Sequence, residues 1–390
     1  MAYRLFRRPV SRTSVIVSLE VLFFLSIITI VSLYVDKYRS DIDKNVAFVR
    51  GIPNLSYHLL DPITPVSEEL LQFEEEERTK DVWKLKPISN ISSFKIRNKS
   101  THFCPAVSPL LVGWLDISSF ADPTKKEENE NILNTKMAES GLNIGGRYQP
   151  SECQSRNKVA IIVPYRNRKN HLRIFLRYMH PFLQRQQLEY IVVVVEQSEG
   201  SPFNRGLLMN IGFKETQLRE KFQCFIFHDV DLLPEDDRNL YTCPEEGNPR
   251  QMAFSIDIYD YKPTIENHFG GVNAFYSGDF QRINGFSNSY WGWGSEDDDL
   301  YHRVLHHNLS VTRMFDDKSM FNNVARYKML DHDWVNPNPM RESLFGNRTS
   351  RFQYDGLNNL NYQHIKVTSK PFYTHIFVEI QPKMWQIKNM

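Results

Sequence analysis

Apolar and polar residues follow one another in blocks from residue 158 onward, in an order typical of α/β proteins. Short continuous apolar runs at 159–163, 190–195 and 224–227 predict buried parallel strands. The amphipathic segment 169–185 and the segment from 205 to about 221 lie between them and are predicted to be helices. The order strand, helix, strand, helix, strand is the first half of a Rossmann-like nucleotide-binding sheet. Ligands are therefore expected beyond the carboxyl ends of its strands.

A longer apolar run lies at 15–35, and its length of about 21 residues is enough to span a bilayer. Arginines precede it at positions 4, 7, 8 and 12. The positive-inside rule therefore predicts a cytosolic tail at 1–14, one transmembrane signal anchor and a lumenal body, a type II orientation. A cleavable signal peptide is the alternative, but no small-residue cleavage site follows the run.

Residues 36–100 carry several prolines and no sustained apolar period, which is typical of an extended stem ahead of a folded domain at 101–390. Acceptor sequons for N-glycosylation occur at Asn54, Asn90, Asn98, Asn308 and Asn347.

The cysteines are Cys104, Cys153, Cys224 and Cys243, without CxxC spacing. In an oxidising lumen they predict two disulfides, and the spacing leaves three pairings open. A four-cysteine zinc site would need tighter clustering.

Charge and glycine motifs exclude several classes of function. The net charge is +1, with 47 basic and 46 acidic residues, so nothing indicates a nucleic-acid partner. The chain contains neither GxGxxG nor GxxxxGK[ST], so neither a dinucleotide cofactor nor ATP hydrolysis is indicated. A hydrophobic content of 41% predicts a well-packed globular body.

A run of carboxylates follows a tryptophan–glycine segment in the sequence WGWGSEDDD at 291–299. Ser295 has the character of a helix N-cap with Asp298 three residues later, and one or two acids suit a first helical turn. Adjacent carboxylates repel, however, and such clusters usually serve a cation, a proton transfer or a sugar hydroxyl. We therefore interpret the four successive acids at 296–299 as a candidate catalytic or substrate-binding site.

A second acidic pair stands where the third predicted strand ends, at Asp229 and Asp231. Carboxylates at i and i+2 of a strand end can converge on one divalent metal and the diphosphate that it bridges. Met329 and His332 would share one face if they were helical. A thioether and a neutral imidazole suit a first-row transition metal better than Mg²⁺ or Ca²⁺. Together with Asp231 they predict a Mn²⁺ site.

Ordered sequence blocks over about 100–380 resemble the metazoan β-1,4-galactosyltransferase family, which includes invertebrate β-1,4-N-acetylgalactosaminyltransferases. The blocks are FCP (103–105), SPLLVG (108–113), GGRY (145–148), IVPYRNR (162–168), FNRG (203–206), DVD (229–231), FGGV (269–272), WGWGSEDDD (291–299), MxxH (329–332) and DGLN (355–358).

The resemblance implies a type-A glycosyltransferase fold in the Golgi lumen and an inverting, Mn²⁺-dependent transfer from a UDP-sugar to terminal β-GlcNAc of glycoproteins or glycolipids. It implies Asp231, Met329 and His332 as metal ligands and Asp297 as general base. The residues implied for the donor are Pro164, Arg166, Arg168, Phe203, Arg205, Asp229, Val230, His268 and Trp293. Those implied for the acceptor are Glu296, Asp297, Asp298, Arg341 and Phe345. It also pairs Cys104 with Cys153 and Cys224 with Cys243.

Two positions depart from the family pattern. His268 stands where galactose-transferring members carry a tyrosine whose hydroxyl crowds the donor C2 substituent, and N-acetylgalactosamine-transferring members usually carry a small aliphatic residue. We therefore favour UDP-GalNAc as donor and keep UDP-Gal as the alternative. Glu342 follows Arg341 where the family has an apolar residue, which leaves the acceptor open.

Two other classes of function remain as alternatives. A lumenal lectin would keep the sugar site without catalysis, but the intact set of candidate metal ligands and base argues against it. A glycoside hydrolase also uses paired carboxylates, but it needs neither a metal set nor a basic nucleotide loop. The sequence does not determine whether the chain forms a homodimer or has an accessory subunit.

Overall fold

The computed structural model describes residues 102–118, 140–262, 269–313, 324–333, 335 and 337–382. The predicted cytosolic tail, membrane span and stem lie outside these residues, as do His268 and the sequons at Asn54, Asn90 and Asn98. Within the described ranges no helix has both the length and the apolar character needed to cross a membrane.

The strands are β1 (Arg147–Tyr148), β2 (Lys158–Tyr165), β3 (Glu189–Gln197), β4 (Cys224–His228), β5 (Leu232–Pro234), β6 (Arg250–Gln251), β7 (Ser255–Ile256), β8 (Val272–Tyr276), β9 (Thr312–Arg313), β10 (Arg326–Met329), β11 (Gln363–Ser369) and β12 (Thr374–Glu379). The α-helices are α1 (Lys169–Arg185), α2 (Arg205–Arg219), α3 (Ser277–Arg282), α4 (Glu296–His306) and α5 (Arg341–Gly346). Short 3₁₀ turns lie at Asp257–Tyr259, Thr349–Arg351 and Leu357–Asn359.

These elements form two sheets in a mixed α/β fold. The large sheet has the strand order β11-β12-β3-β2-β4-β8-β6-β9, and β1 also pairs with β3. Strands β12, β3, β2 and β4 run parallel to their neighbours in this series, whereas β8 is antiparallel to β4. The small sheet has the order β5-β10-β7. The predicted strands and helices between residues 158 and 221 are confirmed, to within two or three residues at their ends.

Alternating side chains of the central strands enter two separate hydrophobic clusters, one on each face of the large sheet. In β2, Val159, Ile161 and Val163 belong to the cluster that contains the apolar face of α1. Ala160 and Ile162 belong to the cluster that contains α2. The twofold period of a strand sorts consecutive residues to opposite faces. This double burial explains why the strands read as continuous apolar runs.

Both disulfides join the pairs that the family resemblance implied. Cys104 bonds to Cys153, and Cys224 bonds to Cys243. The second bond ties the first residue of β4, at the amino ends of the central strands, to the loop after β5.

Candidate functional site

The amino end of α2 carries a basic side chain to the exit of β4. Asn204 caps the helix, because its side chain accepts a hydrogen bond from the Leu207 backbone N–H at 2.9 Å. The cap makes Arg205 the first helical residue. Its Nε donates to Asp229 Oδ1 at 2.6 Å, and its Nη1 lies 3.6 Å from Glu296 Oε1. Arg205 therefore lies between the acid at the end of β4 and the first acid of α4.

Backbone pairing between β5 and β10 determines where the predicted metal ligands lie. The two strands are antiparallel, with Met329 opposite Leu232, the residue after Asp231. Beyond the ladder, the Leu330 N–H donates to the Asp231 carbonyl at 2.7 Å. The turn that follows brings His332 Nε2 to 3.4 Å from Asp231 Oδ2. Met329 ends a strand, so it does not share a helical face with His332.

The chemistry of this pair fits a transition-metal cation. His332 Nδ1 lies 2.8 Å from the Asp333 carbonyl oxygen, which can only accept, so Nδ1 carries a proton, and in the neutral ring the Nε2 lone pair faces Asp231. A lone pair and a carboxylate oxygen repel at 3.4 Å unless a cation or proton lies between them. In the described part of the chain, no three His, Cys, Asp or Glu side chains meet at one point. The third ligand implied by the family is a thioether, that of Met329.

The residues predicted for the nucleotide line the adjoining edge of the large sheet. The Arg166 guanidinium lies 5.3 Å from the ring centre of Phe203 and donates to the Ser201 carbonyl at 2.7 Å. Arg168 Nη1 lies 4.0 Å from Asp231 Oδ2. Pro164 is buried near the end of β2. The Val230 side chain packs in the hydrophobic core, so it offers this edge no polar group.

The four acids at 296–299, which we call the acid turn, form the first turn of α4. The prediction that Ser295 caps this helix through its side chain is wrong. Ser295 has a left-handed backbone with φ 71° and makes no cap hydrogen bond, a conformation unlike the extended one that N-caps adopt. The Asp297 carboxylate instead accepts from the Asp298 N–H at 3.0 Å.

The last acid of the turn, Asp299, belongs to a buried ionic network. Its Oδ1 accepts from Arg303 Nε at 2.6 Å, and both side chains are 0% exposed. Its Oδ2 accepts from the Tyr290 hydroxyl at 3.0 Å and lies 3.4 Å from Arg351 Nη2. Arg351 also donates to Asp355 at 2.8 Å. This explains Asp299 and the DGLN block as structural, a role that sequence spacing could not reveal.

The first acid, Glu296, has the opposite environment. Burial, and then the charge of Asp297, raise the pKa of Glu296 to about 8, which favours the protonated form of this carboxyl group. Among the described residues, Glu296 Oε2 and Arg205 Nη1 are buried and find no hydrogen-bond partner. Burial and the charge of Asp297 also raise the pKa of Asp298, to about 6. Two polar atoms are thus left for a ligand between the strand ends and the acid turn.

The tryptophan segment before the acid turn lies against the segment that leads into α5. Trp293 is 47% exposed, and the Arg341 guanidinium lies 5.4 Å from its ring centre. Gly292 and Gly294 flank it with φ of 93° and 110°, a backbone that other residues rarely adopt. The Gly292 N–H donates to the Phe203 carbonyl at 2.7 Å, which connects this segment to the nucleotide edge.

The other predicted acceptor residue, Phe345, lies on α5 next to α4. Its ring centre is 5.5 Å from that of His302 and 4.1 Å from the Arg348 guanidinium. The Glu342 side chain is 78% exposed and accepts from Arg341 Nε at 3.2 Å. Arg341 and Phe345 therefore lie on the same side of the molecule as the acid turn. Glu342 is the residue at which this sequence departs from the family pattern, and its carboxylate interacts with Arg341.

The comparisons with known proteins agree with this fold. The N-terminal region of glycosyl transferase group 7 matches residues 104–244, and the N-terminal domain of galactosyltransferase matches residues 250–333. The catalytic domain of Drosophila β-1,4-galactosyltransferase 7, in complex with xylobiose, superimposes with a TM-score of 0.50 and 28% identity, over 60% of this chain and 97% of that one. The fold is therefore that of a glycosyltransferase.

Two curated relatives are similar over most of their length. Mouse β-1,4-galactosyltransferase 1 is 40% identical over 301 residues, which are 75% of this chain and 71% of the relative. Bovine β-1,4-galactosyltransferase 1 is 41% identical over 299 residues, 75% of this chain and 70% of the relative. The chain belongs to the β-1,4-galactosyltransferase family.

Proposed function

We propose that this chain is an inverting, Mn²⁺-dependent glycosyltransferase that transfers galactose from UDP-galactose, in β-1,4 linkage, to terminal β-GlcNAc. The observation that carries the proposal is the position of Arg205, between Asp229 at the strand ends and Glu296 in the acid turn. A donor bound at the strand ends would present its sugar to the acids that bind the acceptor. Arg205 Nη1 and Glu296 Oε2, which make no hydrogen bond within the described residues, are available to sugar hydroxyls.

Asp297 is the general base in this proposal. Single-step inversion requires a base on the acceptor hydroxyl, opposite the leaving UDP. Glu296 is a poor base at neutral pH, because burial and the charge of Asp297 raise its pKa to about 8. Its carboxyl group would instead donate a hydrogen bond. Asp297 is half-buried, and it is the second residue of α4, in the first turn of the helix.

Asp231, His332 and Met329 would hold the metal ion. A bound Mn²⁺ supplies Lewis-acid stabilisation of the charge that develops on the departing diphosphate. Arg168, 4.0 Å from Asp231, adds positive charge at the same edge. Trp293, between its two glycines, would close over the donor and exclude water, since hydrolysis is the competing reaction.

The residue at position 268 and the names of the relatives indicate different donor sugars. Position 268 favours UDP-GalNAc, whereas the relatives are named galactosyltransferases, and this favours UDP-galactose. UDP-galactose is therefore our first candidate and UDP-GalNAc the second.

A donor screen with the purified full-length chain, Mn²⁺ and a GlcNAc acceptor tests the reaction and the donor together. We expect release of UDP with UDP-galactose only when acceptor is present. His268→Tyr should then shift the donor ratio further toward UDP-galactose by about 1–3 kcal/mol, the effect of one contact in a pocket. His268→Leu is the matched variant, because it removes the imidazole without adding a phenol. A wild-type preference for UDP-GalNAc would select the second candidate, and no transfer from either sugar would contradict the enzymatic proposal.

A Golgi location with one transmembrane anchor completes the proposal. Both disulfides agree with an oxidising compartment. Asn308 and Asn347 are exposed and accessible to glycosylation. Protease protection of the 101–390 region in intact microsomes, with loss of protection in detergent, is the expected result. Digestion without detergent would contradict the lumenal orientation.

A further inference from the structure

A chain of fully buried polar side chains runs beneath the predicted metal site. His228 Nε2 lies 2.8 Å from the Tyr241 hydroxyl, and this hydroxyl lies 3.0 Å from that of Tyr327. Asn239 Nδ2 donates to the Tyr327 hydroxyl at 3.1 Å. At the other end, His228 Nδ1 lies 2.9 Å from the Asp229 carbonyl oxygen. All four side chains belong to residues with 0% exposure.

The direction of every hydrogen bond in this chain follows from donor and acceptor chemistry. The Asp229 carbonyl can only accept, so His228 Nδ1 carries a proton. Burial lowers the pKa of His228 to about 3, and the neutral ring therefore presents a lone pair at Nε2. Tyr241 must donate to that lone pair, which leaves its oxygen to accept from Tyr327. The hydrogen bonds therefore all point in one direction, from the Asn239 side chain to the Asp229 carbonyl oxygen.

The side chains that make these hydrogen bonds lie on segments of both sheets and of the loop between them. His228 ends β4 in the large sheet, three residues before Asp231. Tyr327 lies in β10 of the small sheet, two residues before Met329. Tyr241 lies in the loop that the Cys224–Cys243 disulfide ties to the start of β4. The Tyr241 hydroxyl therefore bridges the two strands whose exits carry the predicted metal ligands.

We propose that Tyr241 is a positioning residue for the metal site, whose hydroxyl fixes the spacing between the ends of β4 and β10 and so holds Asp231 and His332 at ligand distance. The inference rests on the proposed function, because it presupposes a divalent cation at these residues. Tyr241→Phe would keep the ring packing but leave His228 Nε2 and the Tyr327 hydroxyl proton without partners in the core. The ends of β4 and β10 would then lose the hydroxyl that connects them.

The protein contains a matched control for this substitution. Tyr190 and His180 form a second buried pair, with His180 Nδ1 2.9 Å from the Tyr190 hydroxyl and Nε2 2.8 Å from the Phe372 carbonyl oxygen. This pair joins α1, β3 and the turn before β12. Tyr190→Phe therefore removes the same chemical group from an equally buried Tyr–His contact outside the metal site.

The experiment measures Mn²⁺ binding by the full-length chain, with the electron paramagnetic resonance signal of free Mn²⁺ as readout and UDP present. We expect Tyr241→Phe to raise the Kd for Mn²⁺ by about 10–100-fold, the usual cost of losing an outer-shell partner. Tyr190→Phe should leave this Kd within about twofold of wild type, although both variants lose stability. Excess Mn²⁺ should restore transferase activity to Tyr241→Phe.

Four results would overturn the inference. An unchanged Kd in Tyr241→Phe contradicts it while leaving the proposed function intact, and an equal rise in both variants indicates general loosening of the core. Absence of Mn²⁺ binding by wild type removes the metal site itself. Tyr327→Phe retains the bond between Tyr241 and His228, so it should fold more readily and shift the Kd in the same direction. If Tyr241→Phe does not fold, an unchanged Kd in Tyr327→Phe overturns the inference.

Discussion

At the ends of the strands, Asp231 is held by backbone pairing, whereas in the acid turn the last carboxylate, that of Asp299, is held by a buried ion-pair network. The antiparallel register of β5 and β10 fixes the peptide of Asp231 through the Leu330 N–H. The acid turn has no such ladder. Its position depends on Asp299, whose carboxylate pairs with Arg303 and Arg351 in the protein interior.

The comparison distinguishes residues that stabilise the structure of the site from residues whose side chains are available to a ligand. Asp299 is paired on both oxygens, and its role is complete without a ligand. Glu296 lies three residues earlier and has a buried oxygen for which the described residues offer no partner. Buried polar groups in native proteins are nearly always satisfied, so an oxygen without a partner beside the candidate donor residues is available to a ligand. Within one helical turn, Asp299 therefore stabilises the fold, whereas Glu296 is available for binding.

The largest expected effect distinguishes the chemistry of the two regions. Asp297→Asn should lower kcat by about 10²–10⁴-fold with little change in donor KM, because it removes a proton acceptor used in the transition state. Asp231→Asn should also lose most activity, but through weaker Mn²⁺ binding. Steady-state kinetics over a Mn²⁺ titration separate the two, since excess metal should rescue Asp231→Asn only in part and Asp297→Asn not at all. Near-normal turnover of Asp297→Asn would transfer the base role to Asp298.

The second prediction concerns the network that holds the acid turn. Asp299→Asn should lower the free energy of unfolding by about 3–5 kcal/mol, because it leaves Arg303 buried without its partner charge. Urea denaturation followed by circular dichroism measures the loss. Asp260→Asn is the control, since Asp260 is 82% exposed and pairs with an exposed Lys262, so its removal should cost less than about 1 kcal/mol. Equal losses in the two variants would refute the structural role of Asp299.

The sequence predicted the central strands and helices because their periodicity is local. It also marked Asp231, His332 and Arg205, since each matches a family block, and Asp231 and Arg205 also lie at the boundary of a predicted element. It could not predict the capping of α4, because a left-handed Ser295 depends on the glycine segment packed before it. Nor could it predict the contacts of Asp299 with Arg351 or of Tyr241 with Tyr327, which join residues 52 and 86 positions apart. Contacts of this separation depend on the completed fold.

The smallest expected effect tests whether Glu296 is held in its protonated form. Its folded pKa is raised above the ordinary value of a glutamate, so its contribution to stability is greatest below that ordinary value and is lost as the pH rises through about 8. Wild type should therefore lose stability between about pH 4.5 and pH 8 through this group. Gln cannot ionise, so Glu296→Gln should be relatively more stable at pH 8, by about 1–3 kcal/mol, the cost of one unsatisfied buried group.

Urea denaturation of wild type and Glu296→Gln at pH 5 and pH 8 measures this difference. The matched control is Glu215→Gln, because Glu215 is similarly buried but its carboxylate pairs with Arg219 at 2.5 Å. Removing that paired charge should destabilise the protein at pH 8, the opposite sign to Glu296→Gln. Parallel stability profiles for wild type and Glu296→Gln would show that Glu296 is ionised in the folded protein. Its unpaired oxygen would then be an acceptor for a sugar hydroxyl, and the acid turn would present three charged carboxylates to the substrate.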